Sequence, residues 1–151
     1  MNRVDLLLAE YGSYHRTRGN LVCHSFGITL IVYGILAFLQ LIPLPLSGVT
    51  AAELLIAGAF VFYLFLDVPL AFAILVAVGL LDVIGRAISD WRIGLAAFLL
   101  GWVLQGIGHA VFEKNKPAFF RNLVHLMVGP LFLVNELLRI RGARQAPVAR
   151  D

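Results

Sequence analysis

The chain alternates long apolar runs with short polar breaks. Leu21 to Ile42 is one run without a charge. Pro43, Pro45 and Gly48 then make a tight turn, because proline and glycine break a helical pattern. Ala51 to Leu66 is a second apolar segment, ending at Asp67-Val68-Pro69, and Val68 to Ile84 is a third. Both are short against the roughly 20 helical residues that cross the hydrocarbon, so they read as a tilted pair or a broken hairpin. Asp82 to Arg92 reads as a polar loop. Ile93 to Phe112 is a fourth run, interrupted by Gln105 and His109. A polar link, Glu113 to Arg121, leads to a fifth segment, Asn122 to Leu138, where Gly129-Pro130 predicts a kink. Ahead of them all, Val4, Leu7, Leu8 and Tyr11 recur at helical spacing, which predicts a short helix on the membrane surface.

The expected fold is therefore all-α: a multi-pass transmembrane helical bundle of four to five segments with a short N-terminal interfacial helix. One integral membrane domain over 1–151 is the natural division, with residues 1–20 interfacial and 139–151 a polar tail. Composition agrees. The chain is 60% hydrophobic and 14% charged, where soluble domains carry roughly 25% charged residues. Met1 to Arg18 is charged and mixed, and the first apolar run exceeds the ~7–15 residues of a signal-peptide core, so it is expected to stay as an anchor. The single Cys23 excludes an internal disulfide.

The net charge is +3, with basic residues in three groups: Arg16 and Arg18; Lys114, Lys116 and Arg121; and Arg139, Arg141, Arg144 and Arg150. Such groups flank membrane spans and meet anionic headgroups of the lipid bilayer. Aromatic residues are not interleaved with them, which argues against nucleic acid as a partner.

The candidate chemistry lies in the four histidines, His15, His24, His109 and His125. Each sits at or near the end of an apolar segment. If four segments cross, the fourth ends on the side where the first begins. His24 opens the first and His109 closes the fourth. His125 lies just across the polar link, and His15 shortly before the first span. All four then share one interface, and the basic residues around them favour the cytoplasmic side (the inner membrane in a bacterium, the endoplasmic reticulum in a eukaryote). A shared level suggests a shared metal ion, and imidazole suits iron, zinc, copper or nickel. Gln105, His109 and Glu113 are spaced by four and stack on one helical face, so Gln105 or Glu113 can fix the His109 tautomer. Asn20 is likewise four residues before His24 and can orient it or cap its helix. Glu136 lies on the His125 face, roughly 16 Å deeper by helix rise.

These residues resemble a known family. Tyr14-His15, Asn20, His24 and Gly27, then Gln105-x-x-Gly108-His109-x-x-x-Glu113 and His125-x-x-x-Gly129-Pro130-Leu131-Phe132, are similar to motifs of small multi-pass proteins. The characterised fungal members are iron(II)-dependent 2-hydroxy fatty acid dioxygenases of the endoplasmic reticulum, which shorten the acyl chain by one carbon (α-oxidation). The resemblance covers both ends of the chain. It departs at Ile28-Thr29, where fungal relatives often carry a proline. It implies Fe(2+) as cofactor, 2-hydroxy fatty acid and dioxygen as partners, and His15, His24, His109 and His125 as the iron site. A chelating 2-hydroxy acid plus dioxygen leaves three places in an octahedron, so at least one histidine should leave the shell or act as a proton acceptor or clamp. His15, outside the predicted span, is the expected one. Arg16, Arg18, Lys114 or Lys116 would hold the substrate carboxylate. Two other readings remain open: a haem clamped between two imidazoles for electron transfer, and a zinc hydrolase with Glu113 as base. The bland alternative is a scaffold whose histidines only bond between helices.

Overall fold

The computed structural model describes residues 2–46, 48–114 and 124–140. Among them are six helices: α1 (Arg3–Ser13), α2 (Arg18–Leu39), α3 (Ala51–Leu64), α4 (Val68–Ile88), α5 (Trp91–Ile107, continued by a π-helical turn, Gly108–Glu113) and α6 (Val124–Leu138). Three of these stretches are long and apolar enough to cross a membrane: Arg18–Leu39, Val68–Ile88 and Trp91–Glu113. Ala51–Leu64 and Val124–Leu138 are shorter apolar helices. The protein is an all-helical, multi-pass membrane bundle.

Polar residues punctuate the helices as capping physics requires. The hydroxyl of Thr17 accepts from the Asn20 amide, and the Asp67 carboxylate from the Leu70 amide, each satisfying an amide with no partner inside its helix. Asp90 does the same for Arg92 at the start of α5. Thr50 and Glu53 form a reciprocal capping box on α3. Thr17, not Asn20, is thus the cap of α2.

The polar stretch Asp82 to Arg92 is not all loop. Helix α4 continues to Ile88 and stops at Ser89, which takes a left-handed φ of 54°. The reason is pairing along the helix. Asp82 accepts from Arg86 Nε at 3.0 Å, one turn on, and from Gln40 Nε2 at 2.8 Å. Arg86 also pairs with Glu53. These bonds join the end of α2 to the start of α3 and the end of α4, at the end of the bundle away from His24. At the other end, Tyr63 of α3 donates to the Met127 carbonyl of α6. Hence α3 and α4 run in opposite directions between the two ends, and α5 returns to where α2 began.

Helices α2 and α5 pack antiparallel through glycine. A Cβ on Gly101 would lie 2.7 Å from the Gly27 carbonyl oxygen, and one on Gly34 would lie 2.7 Å from that of Gly94. Backbones this close leave no room for a side chain. Gly94, Gly101 and Gly108 recur every seven residues, as do Gly27 and Gly34, the spacing that keeps one seam facing its partner.

Helix α1 turns its apolar face inward. Val4 and Leu8 join Tyr63, Leu70, Ile74 and Leu131 in one buried cluster. The N-terminal helix thus lids the histidine end of the bundle. Pro130 sits inside α6, which is continuous from Val124 to Leu138. The Glu136 expectation changes: Glu136 is exposed, and Asn135, one residue earlier, is the buried polar group.

Replacing Gly101 with alanine should cost about 1–3 kcal/mol through overpacking. Gly106 on the same helix has open space beside it, so its alanine variant should be neutral or slightly more stable. Unfolding by SDS titration, followed by far-ultraviolet circular dichroism, separates the two; equal stability of both variants would remove the close helix contact.

Candidate metal centre

His15 lies in the turn between α1 and α2, His24 in the second turn of α2, and His109 in the π-helical turn that ends α5. The structure brings these three together. Their ring centroids are 4.2 Å (His15 to His24), 4.7 Å (His24 to His109) and 5.0 Å (His15 to His109) apart, all edge-on. One nitrogen from each lies within 4.8 Å of the others. All are buried, at 3–5% exposure.

The ring orientations follow from backbone bonds. His15 Nδ1 contacts the Tyr11 carbonyl at 2.7 Å, and His24 Nδ1 contacts the Asn20 carbonyl at 3.2 Å. A carbonyl only accepts, so each ring carries its proton on Nδ1 and turns the Nε2 lone pair toward the cluster. Metal-binding histidines are typically held this way. His15 Nε2 and His109 Nδ1 are buried with no hydrogen-bond partner among the described residues. Burial pushes the His15 imidazole down to about 4, against a weaker opposing pull from its bond to the Tyr11 carbonyl. The ring is therefore neutral at physiological pH, the form that ligates metal.

Two expected supports work differently. Asn20 orients His24 through its backbone carbonyl. Its side chain instead donates to the Tyr14 carbonyl at 3.3 Å and to Glu113 at 3.1 Å. Glu113 does not meet His109. The wider π-helical turn breaks the four-residue stacking assumed for a regular helix. The Glu113 carboxylate accepts from the Arg16 amide (2.9 Å), the Thr17 amide (3.1 Å) and the Thr17 hydroxyl (2.9 Å). It ties the end of α5 to the turn that carries His15. Gly108 makes this approach possible, since a Cβ there would collide with the Asn20 side chain.

His125 stands beside the cluster, outside the group of three. Its ring lies 6.0 Å from Tyr11, edge-on, and its Nε2 is 3.5 Å from Glu10 Oε1. His15, expected to be the outlying histidine, instead lies within the group of three: residues 11–15 fold back over α2 and bury His15 against His24. Gln105 is buried one turn below His109. Arg16, Arg18 and Lys114 are exposed and do not line the cavity described next, so the geometry does not bring them to a buried carboxylate. Lys116 lies outside the described residues. Sequence reading missed Tyr11, whose ring stacks on His15 at 4.2 Å and 9°. The four-residue spacing of Tyr11 and His15 was the available signal.

A cavity of about 500 Å³ opens from the histidines into the bundle. Its walls are apolar, from Ile28, Ile31 and Ile35 of α2, Phe60 of α3 and Phe98 of α5. Along α2 it runs from His24 to Leu36, roughly 18 Å by helix rise.

Fold and site together define a small multi-pass membrane protein with three converging imidazoles at one end of a long apolar cavity. The chain belongs to the 2-hydroxy-palmitic acid dioxygenase Mpo1-like family, whose model matches residues 1–140. It is 32% identical over 138 residues to the 2-hydroxy-palmitic acid dioxygenase MPO1 of Saccharomyces cerevisiae, covering 87% of this chain and 77% of that protein. No solved structure matches it.

The Glu113 clamp is directly testable. Glu113→Ala removes hydrogen bonds to a carboxylate, so it should destabilise the protein by about 1.5–3 kcal/mol. Amide exchange should rise at Arg16 and Thr17, measured by hydrogen–deuterium mass spectrometry. Unchanged protection there would mean the turn is held by something else.

Proposed function

We propose that this protein is an iron(II)-dependent dioxygenase that shortens 2-hydroxy fatty acids by one carbon, with His15, His24 and His109 as the iron ligands. The carrying observation is the meeting of three buried, neutral-capable imidazoles at the head of a cavity suited to an acyl chain. The yeast relative's name, a 2-hydroxy-palmitic acid dioxygenase, supplies the substrate class. Three imidazoles match the number of protein donors that a chelating hydroxy acid and dioxygen leave room for. Bound there, iron(II) would supply a redox-active centre with places left for both reactants.

The balance closes without a further reductant. One R–CH(OH)–COOH and one O₂ give R–COOH, CO₂ and H₂O. The bond between the carboxyl carbon and the hydroxyl-bearing carbon breaks, and the substrate provides all the electrons that dioxygen takes up. The chain's own residues bind and orient. The apolar helices hold the tail, each buried CH₂ contributing about 0.8 kcal/mol. His125, beside the cluster and near Glu10, takes the role of proton acceptor. The histidine end also carries Arg16, Arg18 and Lys114, exposed, which supports a cytoplasmic placement of the site.

Two observations weigh against the other readings. The three rings already touch edge to face, so no gap between any two of them fits a porphyrin. Glu113 is engaged by the turn before α2, which leaves it poorly placed as the base of a zinc hydrolase.

Protein purified without oxygen should hold stoichiometric iron and convert 2-hydroxypalmitate and dioxygen into the acid one carbon shorter. His24→Ala and His109→Ala should each abolish iron retention while the helical circular dichroism signal persists. Full iron content in both variants would sink the ligand assignment. Product formation that is unaffected by removing oxygen would sink the dioxygenase reading.

A further inference from the structure

Apart from the histidines, two polar side chains with no hydrogen bond among the described residues line the head of the cavity. They are Tyr11 of α1 and Gln105 of α5. Both are more than nine-tenths buried, at 6% and 8% exposure. Tyr63, also on the wall, differs, because its hydroxyl already donates to the Met127 carbonyl at 2.7 Å. Neither polar tip is among the sealed, unpartnered atoms of the core, so each is open to a polar group that enters the cavity.

Each of these groups rests against a glycine. A Cβ on Gly129 would lie 3.1 Å from the Tyr11 hydroxyl, and one on Gly27 would lie 3.0 Å from the Gln105 amide nitrogen. A larger residue at either position would crowd the polar tip. The surroundings place both groups beside the cluster: Tyr11 stacks on His15, and Gln105 is one turn from His109. The exposed bases Arg16, Arg18 and Lys114 are not on the cavity wall.

We propose that Tyr11 and Gln105 hydrogen-bond the carboxylate-bearing head of the fatty acid, and so replace the surface basic residues as its positioning groups. This rests on the reading of the cavity as an acyl site. A phenol and a primary amide both donate N–H or O–H groups, which suits an anionic acceptor without burying a second charge. The iron-facing nitrogens are left free for metal.

The test is anaerobic binding of 2-hydroxypalmitate and of hexadecan-1-ol, which shares the tail length but lacks the carboxylate, to full-length iron-loaded protein in nanodiscs. Tyr11→Phe and Gln105→Leu keep size and remove the donors. Each should bind 2-hydroxypalmitate at least about tenfold more weakly, with little change for the alcohol and unchanged iron content. Wild-type affinity for the acid in both variants would overturn the assignment. So would an equal loss for acid and alcohol, which marks a structural role. Turnover in oxygen is scored separately. If the wild type binds the acid through these donors but does not shorten it, the head site stands and the proposed reaction falls. If it shortens the acid and both variants match it, the reverse holds. Failure of the wild type to bind the acid would remove both.

Discussion

The close antiparallel contact of α2 and α5 is the constraint on which the rest depends. Gly27 faces Gly101, and Gly34 faces Gly94, with backbone against backbone. Lipid tails are as apolar as leucine, so helices in a membrane gain little by hiding apolar side chains from lipid. They associate where surfaces fit closely, and glycine permits the closest fit. This contact sets the two helices in register. His24, near the start of one, and His109, at the end of the other, then fall at the same level. Without that register the imidazoles could lie at the same interface and still not meet.

The third histidine needs a different device, because it is not on a membrane-spanning helix. Its turn is held from both sides. The Tyr11 carbonyl orients the ring, and Glu113 fastens the following amides to the end of α5. The π-helical turn matters here. A regular helix would keep Glu113 on the His109 face, where it could serve the ring. The wider turn sends it to the amides of Arg16 and Thr17, just before α2. One carboxylate therefore couples all three histidine-bearing elements, and it does so without a hydrogen bond to any of the imidazoles.

The cavity divides its labour by chemistry. Aliphatic and aromatic side chains line its length, and polar groups gather at one end. The far end of the bundle is closed by Gln40, Asp82, Arg86 and Glu53, a network that pairs its charges internally. Arg86 and Glu53 are partly exposed, so solvent screens the pairing and it adds little net stability. The network joins α2, α3 and α4 at the end away from the three clustered imidazoles.

Much of this was legible along the chain. Apolar runs, and helical spacing at the N-terminus, located the six helices of the described residues, because hydropathy and periodicity act locally. The parity of crossings placed His24 and His109 at one level, which needs only the count and direction of segments. Other features were not legible, because they depend on partners far away in sequence. Asp82 and Arg86 look like loop residues until Gln40 and Glu53 arrive. Glu136 shares the His125 face by regular helical spacing, yet it is exposed, and α6 buries Asn135 instead. Arg16, Arg18 and Lys114 suited a carboxylate by charge, yet they face outward. The amino-acid order determined which segments are helical and that the histidines gather toward one end, since these follow from local hydropathy and counting. Tertiary packing alone decided that His15 joins His24 and His109 while His125 stands aside, because the turn after Tyr11 is held by a carboxylate nearly a hundred residues away.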